Sequence, residues 1–259
     1  MKTMILALIL TTLAATSAWA KIVVEPAPYS HAGTTLAGRL VYDDTGKDKR
    51  PGVLVVHQWM GPTDYELGRA KQLAELGYVA LVADIYGQDL RPKNPAEAGA
   101  AAGKFRADRA LLRAVTAAGL ARLKASPLVD ARRVAAIGYC FGGGAVLELA
   151  RGGADLAGVV SFHGNLDTPN PADAKQIKTR LLVLQGADDP VVPPAQVALF
   201  KKEMDDAKVD YRFVSYPGAV HAFTQKEAGS DPAKGVAYNA AADADSWREM
   251  VAFFATIFR

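Results

Sequence analysis

The chain has 259 residues, half of them hydrophobic and 8% aromatic, which is enough apolar material to bury a full core and excludes disorder over most of its length. Thirty basic residues against 27 acidic ones leave a formal charge of +3, spread without a basic block. No phosphate-tracking footprint results, so a nucleic-acid partner is excluded and small-molecule chemistry is expected.

The first twenty residues read as Lys2, an apolar run from Met4 to about Ala15, then small residues ending in Ala18-Trp19-Ala20. That order matches a secretory signal peptide, and the apolar core is about a dozen residues where a membrane span needs roughly 20. Residues 1–20 are expected to be cleaved, leaving 21–259 as one domain without a membrane partner, exported and periplasmic in a Gram-negative source.

The segment 34–44, "TTLAGRLVYDD", alternates apolar and polar residues and predicts an antiparallel edge strand. Six runs that are apolar throughout follow, at 51–58, 78–84, 133–139, 157–164, 180–186 and 211–218, as suits strands buried on both faces of a parallel sheet. Helical spacing fills the gaps. Leu67, Ala70 and Ala74 lead to Gly77 as a C′ residue, and residues 95–125 hold one long or two shorter helices. A helix runs from about Phe141 to Arg151, and Val197, Phe200 and Met204 mark another after Pro193-Pro194. Trp247, Met250, Val251, Phe254 and Phe258 form a closing helix. Strand and helix alternate, which predicts an α/β fold: a doubly wound, mostly parallel sheet with helices on both faces and no large cap domain.

Cys140 is the sole cysteine, so no internal disulfide forms. It stands in "GYCFGG" (138–143), a G-x-C-x-G pattern between the strand ending at Tyr139 and the helix beginning at Phe141. A nucleophile at such a junction sits on a tight turn, where glycines two residues away on each side remove colliding Cβ atoms. The helix start aims N–H groups at the sulfur, which favours thiolate and later an oxyanion. The competing reading is a buried cysteine acting as a small hydrophobe. With glycine near 7% in average proteins, both offsets are filled by chance about 0.5% of the time, and the strand and helix context fits, so the functional reading is preferred.

A thiol needs a base, and the histidines are His31, His57, His163 and His221. His221, in "GAVHAF", follows an apolar strand at the end where sites of open α/β sheets gather, and is the natural base. "GADDPVVP" (186–193) places Asp188 and Asp189 just past another strand; Pro190 holds the preceding residue extended, and Asp189 is the preferred orienting acid. The order Cys140, Asp189, His221 is nucleophile, acid, histidine.

On "GYCFGG", "GADDPVVP", "GAVHAF" and "VVHQWMG" (55–61), the sequence resembles the dienelactone hydrolase family, a branch of the α/β-hydrolases with cysteine at the elbow. The resemblance implies Cys140 as nucleophile, His221 as base and acid, Asp189 fixing the histidine tautomer, and an oxyanion hole from the backbone N–H groups of Trp59 and Phe141. It implies hydrolysis of activated carboxylic esters or lactones through a thioester. Two departures stand out. Lactone-cleaving members carry a glutamate where this chain has Gln58, and an arginine soon after the histidine where it has Gln225 and Lys226. Arg106 offers a cation from another direction; Gln58, Tyr86, Arg106 and His163 are the expected pocket residues, and His57 is expected to brace the "HQWMG" loop. No metal or cofactor motif is present: the glycines after Cys140 lack a P-loop lysine. The expected partner is a small ester or lactone, and the chain a monomer or small homo-oligomer. The alternatives are a non-catalytic binding protein of this fold, and a thioesterase or peptidase.

Overall fold

The apolar runs pair into one sheet in a computed structural model, which describes residues 21–46 and 48–259; the expected signal peptide lies outside the described residues. The strands are β1 (Ile22–Pro26), β2 (Tyr29–His31), β3 (Thr34–Leu36), β4 (Arg39–Asp43), β5 (Arg50–Val56), β6 (Val79–Ala83), β7 (Val129–Tyr139), β8 (Gly158–Phe162), β9 (Arg180–Gly186) and β10 (Tyr211–Tyr216). The helices are α1 (Asp64–Glu75), α2 (Pro95–Ala107), α3 (Arg109–Lys124), α4 (Phe141–Arg151), α5 (Pro194–Asp206) and α6 (Ala240–Ile257).

Eight strands lie in the order β1-β4-β6-β5-β7-β8-β9-β10, and β2 pairs with β3 as a separate hairpin. From β6 to β10 every neighbouring pair is parallel, whereas β1–β4 and β4–β6 are antiparallel. The central stretches of β5, β6, β7, β8 and β9 are apolar and buried because both faces are covered, whereas β10 at the edge of the sheet exposes Arg212 and Ser215. Along β5, Val53 and Val55 belong to one buried cluster with Leu73 of α1 and Phe254 of α6, while Leu54 and Val56 belong to the cluster on the other face with Leu120 of α3 and Leu147 of α4. This is the α/β-hydrolase architecture.

The segment 34–44 is not one edge strand. It divides at Ala37-Gly38 into β3 and β4, and β1 pairs outside β4 to take the edge. The close approach of Ala27 forces the division: its N–H donates to the Gly38 carbonyl at 2.8 Å, and a Cβ on Gly38 would meet the Ala27 carbonyl oxygen at 2.8 Å. The Ala-rich region is two helices, parted at Asp108, whose carboxylate caps α3 by accepting from the Leu111 N–H at 2.9 Å. Gly77, at φ 87°, takes the left-handed position after α1. The loops that leave β5, β7, β9 and β10 at their C-terminal ends carry Gln58-Trp59, Cys140, Asp189 and His221, so parallel pairing gathers all four at one edge of the sheet.

Candidate active site

Cys140 caps the N-terminus of α4 with φ 54° and ψ −116°, a backbone conformation that non-glycine residues adopt at a cost of about 1–3 kcal/mol. The turn is possible because its flanks carry no side chain. A Cβ on Gly138 would run into the Gly142 carbonyl, and one on Gly142 into the Val56 carbonyl. The strain aims Sγ out of the sheet at His221.

The His221 Nε2 lies 3.1 Å from the Cys140 Sγ, and its Nδ1 lies 2.9 Å from the Asp189 Oδ2. Asp189 is 3% exposed and accepts from the Val191 and Val192 N–H groups at 2.8 and 3.2 Å on Oδ1 and from the Gln185 side-chain amide at 2.7 Å on Oδ2. Asp188 is exposed and accepts from the Gly218 N–H instead, so the two neighbouring carboxylates divide between site and turn. His221 is clasped from outside, its N–H donating to the Gly235 carbonyl and its carbonyl accepting from the Ala237 N–H.

Burial alone would raise the Cys140 thiol, but the adjoining His221 charge and hydrogen bond, then the Phe141 N–H and the Arg106 charge, outweigh it and hold the thiol below its ordinary value. For His221 burial acts downward, and the Cys140 thiolate and the Asp189 carboxylate overcome it, lifting the imidazole to about 10. The two groups titrate as a unit, and each stabilises the charged form of the other, which promotes the thiolate–imidazolium pair.

The loop after β5 is fixed from several sides. The Gln58 N–H donates to Glu66 at 3.1 Å, the Met60 N–H to the Gln58 Oε1 at 2.9 Å, and the Gly61 N–H to the Gln58 carbonyl at 3.2 Å. Of the N–H groups of residues 58–61, that of Trp59 alone has no partner among the described residues. His57 braces the loop: its Nε2 accepts from the Ile85 N–H at 3.1 Å, so Nδ1 carries the proton and donates to the Gln58 carbonyl at 2.6 Å. Burial pushes this imidazole down to about 4, and it stays neutral.

A cavity of about 230 Å³ opens over Cys140, walled by Gln58, Trp59, Arg106, His221, Ala222 and Gln225, with half-exposed Val191 and Val236 at its rim. Arg106 donates to the Asn165 side chain at 2.8 Å, while its buried Nε has no partner among the described residues. Two residues expected on the pocket wall are elsewhere. Tyr86 stands one layer back, stacked on Phe105, and gives its hydroxyl to the Trp59 carbonyl at 2.9 Å, because the neighbouring Asp84 carboxylate accepts its N–H and turns the chain inward. His163 is fully buried: its φ of 39° turns it beneath the sheet edge, where Nε2 meets the Thr224 hydroxyl at 2.8 Å and its ring packs edge-on against His221 at 5.3 Å. Burial, and then the His221 charge, keep His163 neutral.

Sequence reasoning missed Gln185 and Glu66. A polar amide ending the otherwise apolar strand "RLLVLQG" was the signal for Gln185. The Thr63-x-x-Glu66 spacing of a capping box was the signal for Glu66. No group of three or more His, Cys, Asp or Glu side chains that could hold a metal occurs among the described residues.

The arrangement has counterparts in known proteins. A protein of Bradyrhizobium named probable 2-oxo-3-(5-oxofuran-2-ylidene)propanoate lactonase is 31% identical over 203 residues, covering 74% of this chain and 81% of its own. The crystal structure of a dienelactone hydrolase-like promiscuous phosphotriesterase from metagenomic libraries is 38% identical with a TM-score of 0.88, over 92% of this chain and 99% of that one. The acylaminoacyl peptidase of Pyrococcus horikoshii, at 15% identity and a TM-score of 0.63 over 78% of this chain and 38% of its own, shares the fold alone. The sequence profile described as "Dienelactone hydrolase family" matches residues 36–258, which span the elbow, the acid and the histidine, and the chain belongs to that family of hydrolases.

Proposed function

We propose that the chain hydrolyses activated carboxylic esters or lactones through a Cys140 thioester. The observation that carries this reading is the unbroken chain Sγ–Nε2 at 3.1 Å and Nδ1–Oδ2 at 2.9 Å, at the mouth of a small pocket. The thiolate attacks the acyl carbon, and the Trp59 and Phe141 N–H groups receive the oxyanion. Collapse breaks the C–O bond, and the His221 Nε2–H protonates the departing oxygen. His221 then takes a proton from water, the hydroxide adds to the thioester, and the thiolate leaves as the acid is released. Asp189 holds the imidazole so that Nδ1 keeps its proton throughout.

The Gln58 amide cannot exchange a proton at neutral pH, and its Oε1 is engaged by the Met60 N–H, so activation of the thiol falls on His221 and the start of α4. Thiolate is a better leaving group than most alkoxides, so simple alkyl esters revert from the tetrahedral state. Enol lactones and aryl esters go forward. A 230 Å³ cavity with one arginine, Arg106, and no lysine on its wall among the described residues, and with the His221 charge engaged by Cys140 and Asp189, fits a small acyl group bearing at most one negative charge.

The test is a panel of aryl acetates, an enol lactone, an aryl phosphotriester and simple alkyl esters, on the wild type beside Cys140→Ala and Cys140→Ser. Activity confined to the activated carboxylic substrates and lost in Cys140→Ala supports the reading. Rapid turnover of alkyl esters, or retained activity in Cys140→Ala, refutes it; an inert wild type whose Cys140 alkylates slowly favours a binding protein.

A further inference from the structure

We infer that Glu66 is a positioning residue for the oxyanion hole, its carboxylate holding the Gln58-Trp59 peptide so that the Trp59 N–H faces the carbonyl attacked by Cys140. The inference rests on the hydrolase reading above. Glu66 is fully buried, and no Arg, Lys or His forms an ion pair with it among the described residues. Burying a carboxylate without a cation is costly, and burial holds its carboxyl above the ordinary range. Three donors converge on it: the Gln58 N–H at 3.1 Å on Oε1, and the Thr63 N–H and hydroxyl at 2.9 and 2.7 Å on Oε2. The two N–H groups can only donate, one to each oxygen, so both Glu66 oxygens serve as acceptors, as those of a carboxylate do.

Helix capping explains half of this. The capping box at the start of α1 uses Oε2 alone, and a glutamine serves that purpose as well. Oε1 reaches a residue eight positions upstream that lies outside the helix and next to Trp59. With the Gln58 N–H committed to Glu66 and the Met60 and Gly61 N–H groups committed to Gln58, the Trp59 N–H is the donor left for a ligand. Glu66 is fully buried and does not line the pocket, so it fixes the turn without offering an acceptor to the substrate. In Glu66→Gln one oxygen becomes an NH₂ that faces a donor, so the side chain keeps either the cap or the loop and loses the other.

The experiment separates acylation from thiol reactivity in the full chain. Pre-steady-state release of phenol from an aryl acetate reads acylation, which passes through an oxyanion; alkylation of Cys140 by iodoacetamide passes through none. Glu66→Gln is expected to slow acylation by about 10- to 100-fold, below the full loss of a donor, and to leave the alkylation rate unchanged. Thr63→Ala removes the cap but spares the Oε1 contact, so it lowers the melting temperature and leaves acylation intact. Parallel loss of acylation and alkylation in Glu66→Gln, or wild-type acylation, overturns the inference. Should Glu66→Gln fail to fold, Glu66→Asp keeps the charge but is one methylene too short to span both contacts; it must show the same split, and wild-type acylation there is equally fatal. A wild type that alkylates yet releases no phenol overturns the hydrolase reading and this inference with it.

Discussion

Replacing Asp189 by asparagine isolates how the thiolate is made. Oδ1 receives the Val191 and Val192 N–H groups and Oδ2 receives the Gln185 amide and the His221 Nδ1. Asparagine satisfies the two backbone donors only with its oxygen on their side, which turns its NH₂ toward Nδ1. Nδ1 must then accept, the proton moves to Nε2, and a neutral imidazole that already carries its proton at Nε2 cannot take another from Sγ. The magnitude follows two ways. A buried hydrogen bond to a charge is worth about 1.5–3 kcal/mol, which is about 10- to 150-fold. A thiol returned to its ordinary value of about 8.5 is about 3% ionised at pH 7, and burial lowers that fraction, while the more basic thiolate recovers part of the rate. Both routes give a loss of about 10- to 100-fold in iodoacetamide alkylation at pH 7. The profile changes shape as well. In the wild type the thiol ionises below its usual value while His221 keeps its proton up to about 10, so the rate reaches its plateau at a lower pH than an unassisted thiol allows and falls as pH drops through the thiol's depressed value. In Asp189→Asn the rise moves to higher pH as the thiol ionises unaided. A variant whose rise stays at the wild-type pH would refute the claim that Asp189 sets the tautomer.

Arg106→Gln should raise KM about tenfold for aryl esters of a dicarboxylic acid, by loss of one charge contact, and change KM little for a neutral aryl acetate; equal changes in both would remove Arg106 from acyl recognition. Arg151, 1% exposed, pairs with both Glu203 oxygens at 2.8 Å and with Glu148 at 3.0 Å, so Arg151→Met strands a buried carboxylate at a cost of about 3–5 kcal/mol. At about 2–4 °C per kcal/mol, calorimetry should show a melting temperature lowered by about 6–20 °C, and an unchanged value would refute the pairing. Two glycines give opposite signs. Gly138→Ala forces a Cβ into the Gly142 carbonyl at the elbow and should cost more than the about 1–3 kcal/mol of ordinary overpacking, with loss of Cys140 reactivity. Gly68→Ala, inside α1 with nothing within 4 Å, should raise stability by about 0.5–1 kcal/mol in denaturant titration.

What was legible in the sequence was whatever depends on chain order and local backbone chemistry. The six apolar runs from 51 to 218 all became strands, the first five because burial on both faces leaves no polar alternation to obscure them, and the sixth, β10, as an edge strand that exposes Arg212 and Ser215. Cys140, Asp189 and His221 were legible because each follows such a run at its C-terminal end, and parallel pairing brings those ends together without further information. The misplaced residues share a different property. Tyr86 and His163 also follow strands, yet whether a side chain enters the pocket or turns beneath it depends on one backbone angle and one partner: φ 39° and the Thr224 hydroxyl for His163, and the Trp59 carbonyl for Tyr86. Thr224 lies 61 residues from His163, and no spacing rule connects them.

The same contrast explains why the oxyanion loop was harder to read than the elbow. At the elbow the sequence itself carries the constraint, since Gly138 and Gly142 are needed wherever a strand and a helix cross at Cys140. In the loop the constraint is delivered from outside: by Glu66 from α1, by Tyr86 from the turn after β6, and by His57, whose tautomer is set in turn by the Ile85 N–H. A donor that must already be in place when charge develops cannot rely on its own flexible peptide, so its precision is borrowed from buried neighbours that never touch the substrate. Substitutions at such neighbours should therefore lower the acylation rate while leaving substrate binding and thiol reactivity near wild type, whereas Arg106→Gln weakens binding and Asp189→Asn lowers thiol reactivity and acylation together.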